Sequence, residues 1–323
     1  MPAADSDLII EAKGLKRSFK VKNAVIEAVR GVDLTVRKGE IVGFLGPNGA
    51  GKTTTLKMLT MLLDPTGGSA TVAGSDLRRD SVGVRRKIGY VSQAGSTSAE
   101  ARAGEELISH ARLYGIAPAV SEKRARELLE ALELPDVWDR KCGSLSGGQR
   151  RRLDIVMGLI HQPALVFLDE PSTGLDPQSR ANLWTHIRKL RDDLGTTVFL
   201  TTHYMDEADS LADRILIIDQ GTIVAEGTPA ELKKRVSGDT ITLTLRSTPD
   251  ATRAAEIAAG LTGADRPALE ANVVRLHVPD GASALPVLLG DLVKSGIEAI
   301  GVEVNRPTLD DVFLTLTGRS LRD

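Results

Sequence analysis

Cysteine and aromatic residues are scarce in this sequence. Cys142 is the single cysteine among 323 residues, so no disulfide can form within the chain and a zinc site built from several cysteines is excluded. The lack of a disulfide framework is typical of a protein from a reducing compartment. Aromatic residues make up 3% of the chain and hydrophobic residues 41%, so we expect a sizeable, mainly aliphatic core.

Long apolar runs and a strong net charge are also missing. No stretch of about 18 apolar residues occurs, so no membrane-spanning helix is predicted. The polar, acidic beginning lacks the apolar core of a signal peptide. The formal net charge of -2 argues against a nucleic-acid-binding protein. Basic clusters at residues 85–87, 150–152 and 233–235 are interpreted as solvated helix faces.

Two domains are predicted from the pattern of apolar residues. Residues 1–237 alternate short apolar runs with amphipathic stretches, which is typical of an α/β domain. Buried strands are predicted at residues 41–45, 88–91, 164–168, 197–200 and 215–218, with a helix at 53–63. A mostly helical stretch at about 96–161 predicts an inserted helical subdomain. Residues 238–323 predict a small α+β domain with an accessory or regulatory role.

A glycine-rich segment follows the first of these strands and fits the pattern G-x-x-x-x-G-K-[ST]. Its glycines let the backbone approach an anion, Lys52 can reach the β- and γ-phosphates, and Thr53 offers a hydroxyl to Mg²⁺. This pattern predicts nucleoside triphosphate binding but leaves kinases, GTPases, helicases and transporters open. The predicted nucleotide contacts are Gly46, Pro47, Asn48, Gly49, Ala50, Gly51, Lys52, Thr53 and Thr54.

Two carboxylates follow the predicted strand at 164–168. Asp169 is the expected ligand of Mg²⁺, and Glu170 is the expected general base that polarises the attacking water. Taken alone, the same pair could be the acidic first turn of a helix. Its position after a phosphate-binding loop in one domain favours catalysis.

The N-terminus of a second predicted helix precedes those carboxylates in the sequence, and it is also suited to binding an anion. Residues 145–149 read Leu-Ser-Gly-Gly-Gln, in which Ser146 suits an N-cap and the glycines expose backbone N–H groups. One triphosphate does not need two such sites. With this segment, the chain resembles the ATP-binding cassette ATPases.

The resemblance implies a P-loop NTPase fold and a homodimer. Two copies would pack head to tail, so that Ser146, Gly147, Gly148 and Gln149 of one copy cap the γ-phosphate of ATP held by the other. It further implies that Gln93 touches Mg²⁺ and water and senses a membrane partner, and that His203 contacts the γ-phosphate. Asp176 would lie in a loop at the dimer interface. Phe19 would stack on adenine, or could simply pack in a sheet.

The end of the sequence narrows the resemblance. Residues 305–314 and 317–318, together with 203–208, are similar to segments of the daunorubicin-resistance exporter ATPases. The same residues also explain a capped helix, with Thr308 before the apolar face of Leu309, Val312, Phe313 and Leu316. This resemblance implies ATP-driven export of a hydrophobic drug or antibiotic, a separate multi-helix integral-membrane permease, and peripheral attachment at the cytoplasmic face of the cell membrane.

Other functions stay open at this point. A lipid or polysaccharide exporter shares the same features, and residues 95–106 match the family less closely, which leaves the membrane partner open. An importer is disfavoured by the C-terminal segment. A soluble cassette protein acting on ribosomes or DNA usually has two cassettes or a long coiled coil, and a GTPase would need an Asn-Lys-x-Asp guanine site.

Overall fold

The computed structural model describes residues 7–21, 24–236, 238–264 and 267–318. The chain divides into two compact units, the first ending at Pro229 and the second beginning at Ala230. Residue 237, the predicted domain boundary, lies outside the described residues, and that boundary stays a prediction.

The first unit alternates strands and helices. Its strands are β1 (Leu8–Val21), β2 (Ala24–Arg37), β3 (Ile41–Leu45), β4 (Gly67–Val72), β5 (Ser75–Asp76), β6 (Ile88–Val91), β7 (Leu165–Asp169), β8 (Thr197–Thr202), β9 (Arg214–Asp219) and β10 (Thr222–Gly227). Its helices are α1 (Lys52–Leu59), α2 (Ser81–Lys87), α3 (Ala103–Leu113), α4 (Pro118–Ala131), α5 (Gly147–Leu159), α6 (Pro177–Asp192) and α7 (Met205–Leu211).

A six-stranded sheet forms the centre of this unit, with strand order β10-β9-β3-β8-β7-β6. All neighbours from β9 to β6 are parallel, and β10 is an antiparallel edge strand. The central strands are buried on both faces: Val166 and Leu168 of β7 pack against the helices α3 to α6, whereas Leu165 and Phe167 pack with α1 and the strands β1 and β2. Strands covered on both faces read as continuous apolar runs, which is why they were visible in the sequence.

The remaining strands of the unit form an antiparallel sheet in the order β2-β1-β4-β5. The helices α3, α4 and α5 lie between β6 and β7 in the chain and share one apolar cluster with the central sheet. The predicted α/β fold with an inserted helical subdomain is confirmed.

Helix α1 is shorter than the prediction of residues 53–63. It ends at Leu59, because Thr60 donates its hydroxyl back to Leu56 O at 3.0 Å and Met61 takes a left-handed backbone with φ 56°. Such a residue terminates a helix even where the apolar pattern continues.

The second unit contains an antiparallel sheet in the order β12-β13-β11-β14, with two helices packed on one face. Its elements are β11 (Asp239–Leu245), α9 (Thr248–Ala259), β12 (Ala268–Glu270), β13 (Val273–Val278), α10 (Gly281–Lys294), β14 (Ala299–Asn305) and α11 (Leu309–Thr317), after α8 (Pro229–Lys234) at the division between the units. None of the helices within the described ranges combines the length with the apolar character needed to cross a bilayer.

Candidate functional site

The parallel sheet gathers the predicted site residues at one edge. Because β3, β8, β7 and β6 are parallel neighbours, their carboxyl ends meet at the same edge, where ligands bind in open α/β sheets. The phosphate-binding loop follows β3, Gln93 follows β6, Glu170 follows β7 and His203 follows β8. The topology therefore places together residues that are up to 157 positions apart in the chain (46 to 203).

The loop before α1 leaves its backbone open to an anion. Gly51 is the N-cap of α1 with φ 106°, and no side chain caps the first turn of the helix. A Cβ on Gly51 would lie 2.6 Å from Ala28 O, so β2 lies close behind the loop and only glycine fits. The free N–H groups and the positive end of the helix dipole then point to the loop mouth, where a phosphate can bind.

Lys52 contributes the positive charge of this loop. Its side chain is only 4% exposed, and its ammonium donates to Gly46 O at 2.7 Å and Pro47 O at 3.0 Å. Burial lowers the pKa of Lys52, and the carboxylate of Glu170, with Oε1 3.5 Å from Nζ, opposes that shift. The ammonium therefore links the loop to the carboxylate at the end of β7.

Asp169 and Thr53 present oxygen atoms to the same point. The Oδ1 atom of Asp169 accepts from Thr201 Oγ1 at 2.7 Å and from Thr53 Oγ1 at 3.2 Å. Hydroxyl and carboxylate oxygens are the ligands that Mg²⁺ prefers, usually together with phosphate oxygens of a nucleotide. The residues present fit a magnesium site, and Gln93, whose Nε2 donates to Glu170 Oε2 at 3.1 Å, is the residue predicted to add an amide oxygen to it.

Glu170 is the centre of the contacts at this edge. Its Oε2 atom accepts from Gln93 Nε2 at 3.1 Å and from Thr173 Oγ1 at 3.2 Å, and His203 Nδ1 lies 3.2 Å from the same oxygen. Its backbone is left-handed, with φ 45°, and its N–H donates to Thr201 O at 3.1 Å. A non-glycine residue in this conformation costs of order 1–3 kcal/mol and is typical of functional sites.

The Ser-Gly-Gly-Gln segment forms a capped helix beginning. The N–H of Gln149 donates to Ser146 Oγ at 3.2 Å, and the N–H of Ser146 donates to Gln149 Oε1 at 3.1 Å. Ser146 and Gly147 are exposed, and Gly148 and Gln149 are half-buried. The first turn of α5 is thus presented at the surface of the unit, on a different element from the phosphate-binding loop.

Asp176 lies beside this segment. It is the N-cap of α6 and accepts from Ser179 N at 2.9 Å and from Ser179 Oγ at 2.6 Å, which holds the pKa of the carboxyl below its ordinary value. A Cβ on Gly148 would lie 3.1 Å from Ser179 Oγ, so the beginnings of α5 and α6 are neighbours. Asp176 therefore has a clear structural role at this surface, whatever else it contacts.

Phe19 lies on the hairpin formed by β1 and β2. It pairs with Ile26 across the hairpin, its side chain is half-buried, and the Arg17 guanidinium lies 4.7 Å above its ring. Stacking on adenine and packing on the sheet both stay open for this residue. Its hairpin continues along β2 to Ala28, the residue that approaches Gly51.

Arg151, Asp154 and Glu207 are buried charged residues near the site that were not predicted. Arg151 is 7% exposed, so the interpretation of residues 150–152 as a solvated face is wrong at this position. Glu207 on α7 is fully buried, where it accepts from Ser172 Oγ and, at 3.2 Å, from Trp184 Nε1. Helical spacing gave a signal for Arg151 and Glu207, because Arg151 lies four residues before Ile155 and Glu207 four before Leu211, both buried.

Comparison with protein families gives matches in both units. The model for ABC transporters matches residues 29–173, and the model for the C-terminal domain of DrrA1-3-like ATP-binding proteins matches residues 227–317.

Similar proteins span nearly the whole chain. The daunorubicin/doxorubicin resistance ATP-binding protein DrrA of Streptomyces peucetius is 42% identical over 320 residues, covering 97% of this chain and 94% of the relative. The Nod factor export ATP-binding protein I of Cupriavidus pinatubonensis is 37% identical over 324 residues, covering 100% and 95%. Among solved structures, the ATP-binding cassette MJ0796, as a post-hydrolysis dimer bound to ADP and Pi, matches with 28% identity and a TM-score of 0.62, over 68% of this chain and 98% of that one.

Proposed function

We propose an export function for this chain, which belongs to the ATP-binding subunits of ABC transporters and is an ATPase. It would power the efflux of a hydrophobic drug or antibiotic through a separate membrane subunit. The observation that carries the proposal is the 42% identity to a daunorubicin/doxorubicin resistance protein over 97% of the chain, including the C-terminal unit.

In the proposed reaction, Glu170 polarises the water that attacks the γ-phosphate. Gln93, Thr173 and His203 surround its Oε2 atom and orient the carboxylate. Lys52 and the N–H groups of the loop stabilise the negative charge of the transferred phosphoryl group. Thr53, Asp169 and Gln93 would hold Mg²⁺, whose chemistry there would be to offset the negative charge of the triphosphate.

Two copies of the chain would complete each site. The first turn of α5 is exposed and capped by its own Ser146, which supports contact with an anion from outside the chain. In a head-to-tail homodimer, this turn of one copy would meet the γ-phosphate held by the loop of the other. Hydrolysis then removes the group that bridges the two copies, and the dimer reopens.

The remaining parts of the proposal concern the partner. An integral-membrane permease would supply the pathway for the cargo, and the chain would lie peripherally against it at the cytoplasmic face of the membrane. The similarity to subunits named for resistance and for export supports this arrangement.

Efflux in cells tests this function. The chain is co-expressed with the multi-helix membrane protein that co-purifies with it, and loss of intracellular daunorubicin fluorescence is followed over time. We expect ATP-dependent efflux with the natural chain and none with Glu170→Gln at equal expression. Equal efflux by both chains, or co-purification with ribosomes or DNA rather than with a membrane protein, would contradict the proposal.

A lipid or polysaccharide is the second class of cargo that we consider, because the chain is also 37% identical to a Nod factor export protein. The test is whether lipids, polysaccharides or daunorubicin stimulate the ATPase activity of the membrane complex. Stimulation by lipids or polysaccharides and none by daunorubicin would support an exporter whose cargo is not the drug.

A further inference from the structure

Arg151 connects three backbone carbonyls from two different loops of the site. Its Nε donates to Pro171 O at 2.9 Å and its Nη2 to Asp169 O at 2.9 Å, which are the residues on either side of Glu170. Its Nη1 donates to Ser92 O at 2.5 Å, the residue before Gln93. One buried guanidinium on α5 therefore holds both the Glu170 backbone and the beginning of the Gln93 loop (residues 92–96).

Asp154 holds the other end of the Gln93 loop. It lies three residues after Arg151 on the same helix, it is 3% exposed, and its Oδ1 accepts from Ser96 N at 3.0 Å and from Ser96 Oγ at 3.3 Å. Gly95 packs directly on this carboxylate: its φ is +77°, and a Cβ there would lie 3.0 Å from Asp154 Oδ2. The Gln93 loop is thus tied to α5 on both sides of Gln93.

Burial of these two charges is costly without compensation. Burial lowers the pKa of Arg151 and raises that of Asp154, and the opposite charges of the two residues counteract both shifts. A guanidinium offers five N–H donors spread over three nitrogen atoms in a rigid fork, so it can serve well-separated carbonyls at once. A methionine offers no donor, and a lysine offers three donors on a single nitrogen without the fork.

We propose that Arg151 and Asp154 are positioning residues that fix Gln93 and Glu170 to α5. This helix begins with the Ser-Gly-Gly-Gln segment (residues 146–149), called the Ser146 segment below. Contact between the Ser146 segment and the triphosphate held by a partner copy would then align the catalytic carboxylate and the Gln93 loop of the same chain. In this proposal, both residues act through the loops that they hold and not through contact with the nucleotide. The inference rests on the proposed roles of Glu170, Gln93 and the Ser146 segment.

The test compares three substitutions on one helix in the full-length chain. Arg151→Met removes the donors to the site loops, and Arg151→Lys keeps the charge without the fork. Arg152→Met is the matched control, because Arg152 is partly buried beside Arg151 but donates to Leu132 O at 3.1 Å, away from the site. Urea unfolding midpoints measure the structural loss in each variant.

Steady-state ATPase rates and nucleotide affinity separate positioning from stability. We expect kcat of Arg151→Met and of Arg151→Lys to fall about 100-fold, the effect of misplacing catalytic groups by about 1 Å, with the dissociation constant for ATP changed less than about twofold. Arg152→Met should lose comparable stability with kcat within about twofold of the parent. Equal kcat in Arg151→Met and Arg152→Met, full rescue by lysine, or parallel losses of kcat and affinity would overturn the inference.

A second pair of variants applies if Arg151→Met does not fold. Asp154→Asn keeps the acceptor for Ser96 and should retain most of kcat, whereas Asp154→Ala should lose it with ATP affinity preserved. Equal activity in the two would also overturn the inference. Glu170→Gln, measured in parallel, separates this idea from the proposed function: full activity there refutes the catalytic base, while an inactive Glu170→Gln beside a fully active Arg151→Met refutes the positioning role alone.

Discussion

The carboxylate of Glu170 is surrounded by side chains from separate segments of the chain. Gln93 follows β6, His203 follows β8, and Lys52 belongs to the phosphate-binding loop, yet all three lie within 3.5 Å of its oxygens. A group held from several directions has few rotamers available, so its position depends on every one of these neighbours. At the scale of residues, the site is therefore sensitive to changes that leave Glu170 itself intact.

Lys52→Ala should abolish nucleotide binding or turnover. The substitution removes the ammonium that reaches Gly46 O, Pro47 O and Glu170, and we expect ATPase activity to fall about 100-fold or more, as for loss of one donor to a developing charge. ATPase assays and binding of a fluorescent ATP analogue measure the effect. Lys57→Ala, on the exposed face of α1, is the control; activity in Lys52→Ala equal to that control would refute the phosphate-loop assignment.

Glu207 should make stability depend on pH. Burial raises the pKa of this carboxyl above its ordinary value of 4.5, against the hydrogen bonds from Ser172, Thr202 and Trp184. A group with a raised folded pKa stabilises the fold below its unfolded pKa, and that contribution is lost as pH rises through the folded pKa. Glu207→Gln removes this titration, so the parent should lose stability relative to the variant as pH increases from 4.5.

Urea unfolding at a series of pH values measures this difference. The raised pKa of Asp154 acts in the same direction, but Asp154 is present in both proteins and cancels in the comparison. Parallel stability curves for the parent and Glu207→Gln would mean that Glu207 does not change protonation differently in the folded and unfolded chains.

The sequence predicted the site residues at the ends of strands better than the buried helix residues that contact the neighbouring loops. Lys52, Asp169 and His203 follow or end apolar runs, and the structure brings them to one edge as parallel strands require. Their chemical roles stay predictions. Arg151 and Glu207 escaped prediction because a charged residue on a helix is normally solvated, and their spacing from Ile155 and Leu211 was a weak signal against that expectation.

At the scale of elements, the buried strands of the central sheet were easier to predict from the sequence than the strands of the antiparallel sheet. The central strands were predicted from apolar runs within one or two residues of their ends, whereas the 14-residue strands β1 and β2 were not predicted as a hairpin. Parts of β1 and β2 are exposed, and several register shifts interrupt their pairing, so their two-residue alternation is broken. A broken alternation leaves no periodic signal in the sequence.

Helices α5 and α11 begin with the same type of capping arrangement, which allows a matched comparison. Ser146 and Gln149 cap α5, and Thr308 and Asp311 cap α11 in the other unit. Ser146→Ala and Thr308→Ala should each lower stability by about 1 kcal/mol. Only Ser146→Ala should also reduce kcat, by about 10-fold or more, because its hydroxyl is proposed to meet the γ-phosphate of a partner copy.

Thermal unfolding and ATPase assays of the two variants decide this prediction. If both variants lose stability and neither loses activity, Ser146 is a helix cap alone. If Thr308→Ala loses as much activity as Ser146→Ala, the capping residue of α11 has a part in hydrolysis that the account does not contain.

At the scale of the whole molecule, one chain carries two elements suited to a phosphate. The loop before α1 follows β3, whereas the exposed first turn of α5 follows the inserted helices. A single nucleotide in one chain does not need both elements. A head-to-tail pair uses both, since each triphosphate would then contact the loop of one copy and the first turn of α5 of the other.

Sedimentation of Glu170→Gln tests this claim most directly. This variant should bind ATP and hydrolyse it poorly. In the presence of ATP and Mg²⁺, sedimentation should give a molecular mass twice the 34.5 kDa of the chain. Without nucleotide, or with Lys52→Ala added, it should sediment as a monomer. A variant loaded with ATP that remains monomeric at every concentration, with and without its membrane subunit, would contradict the account.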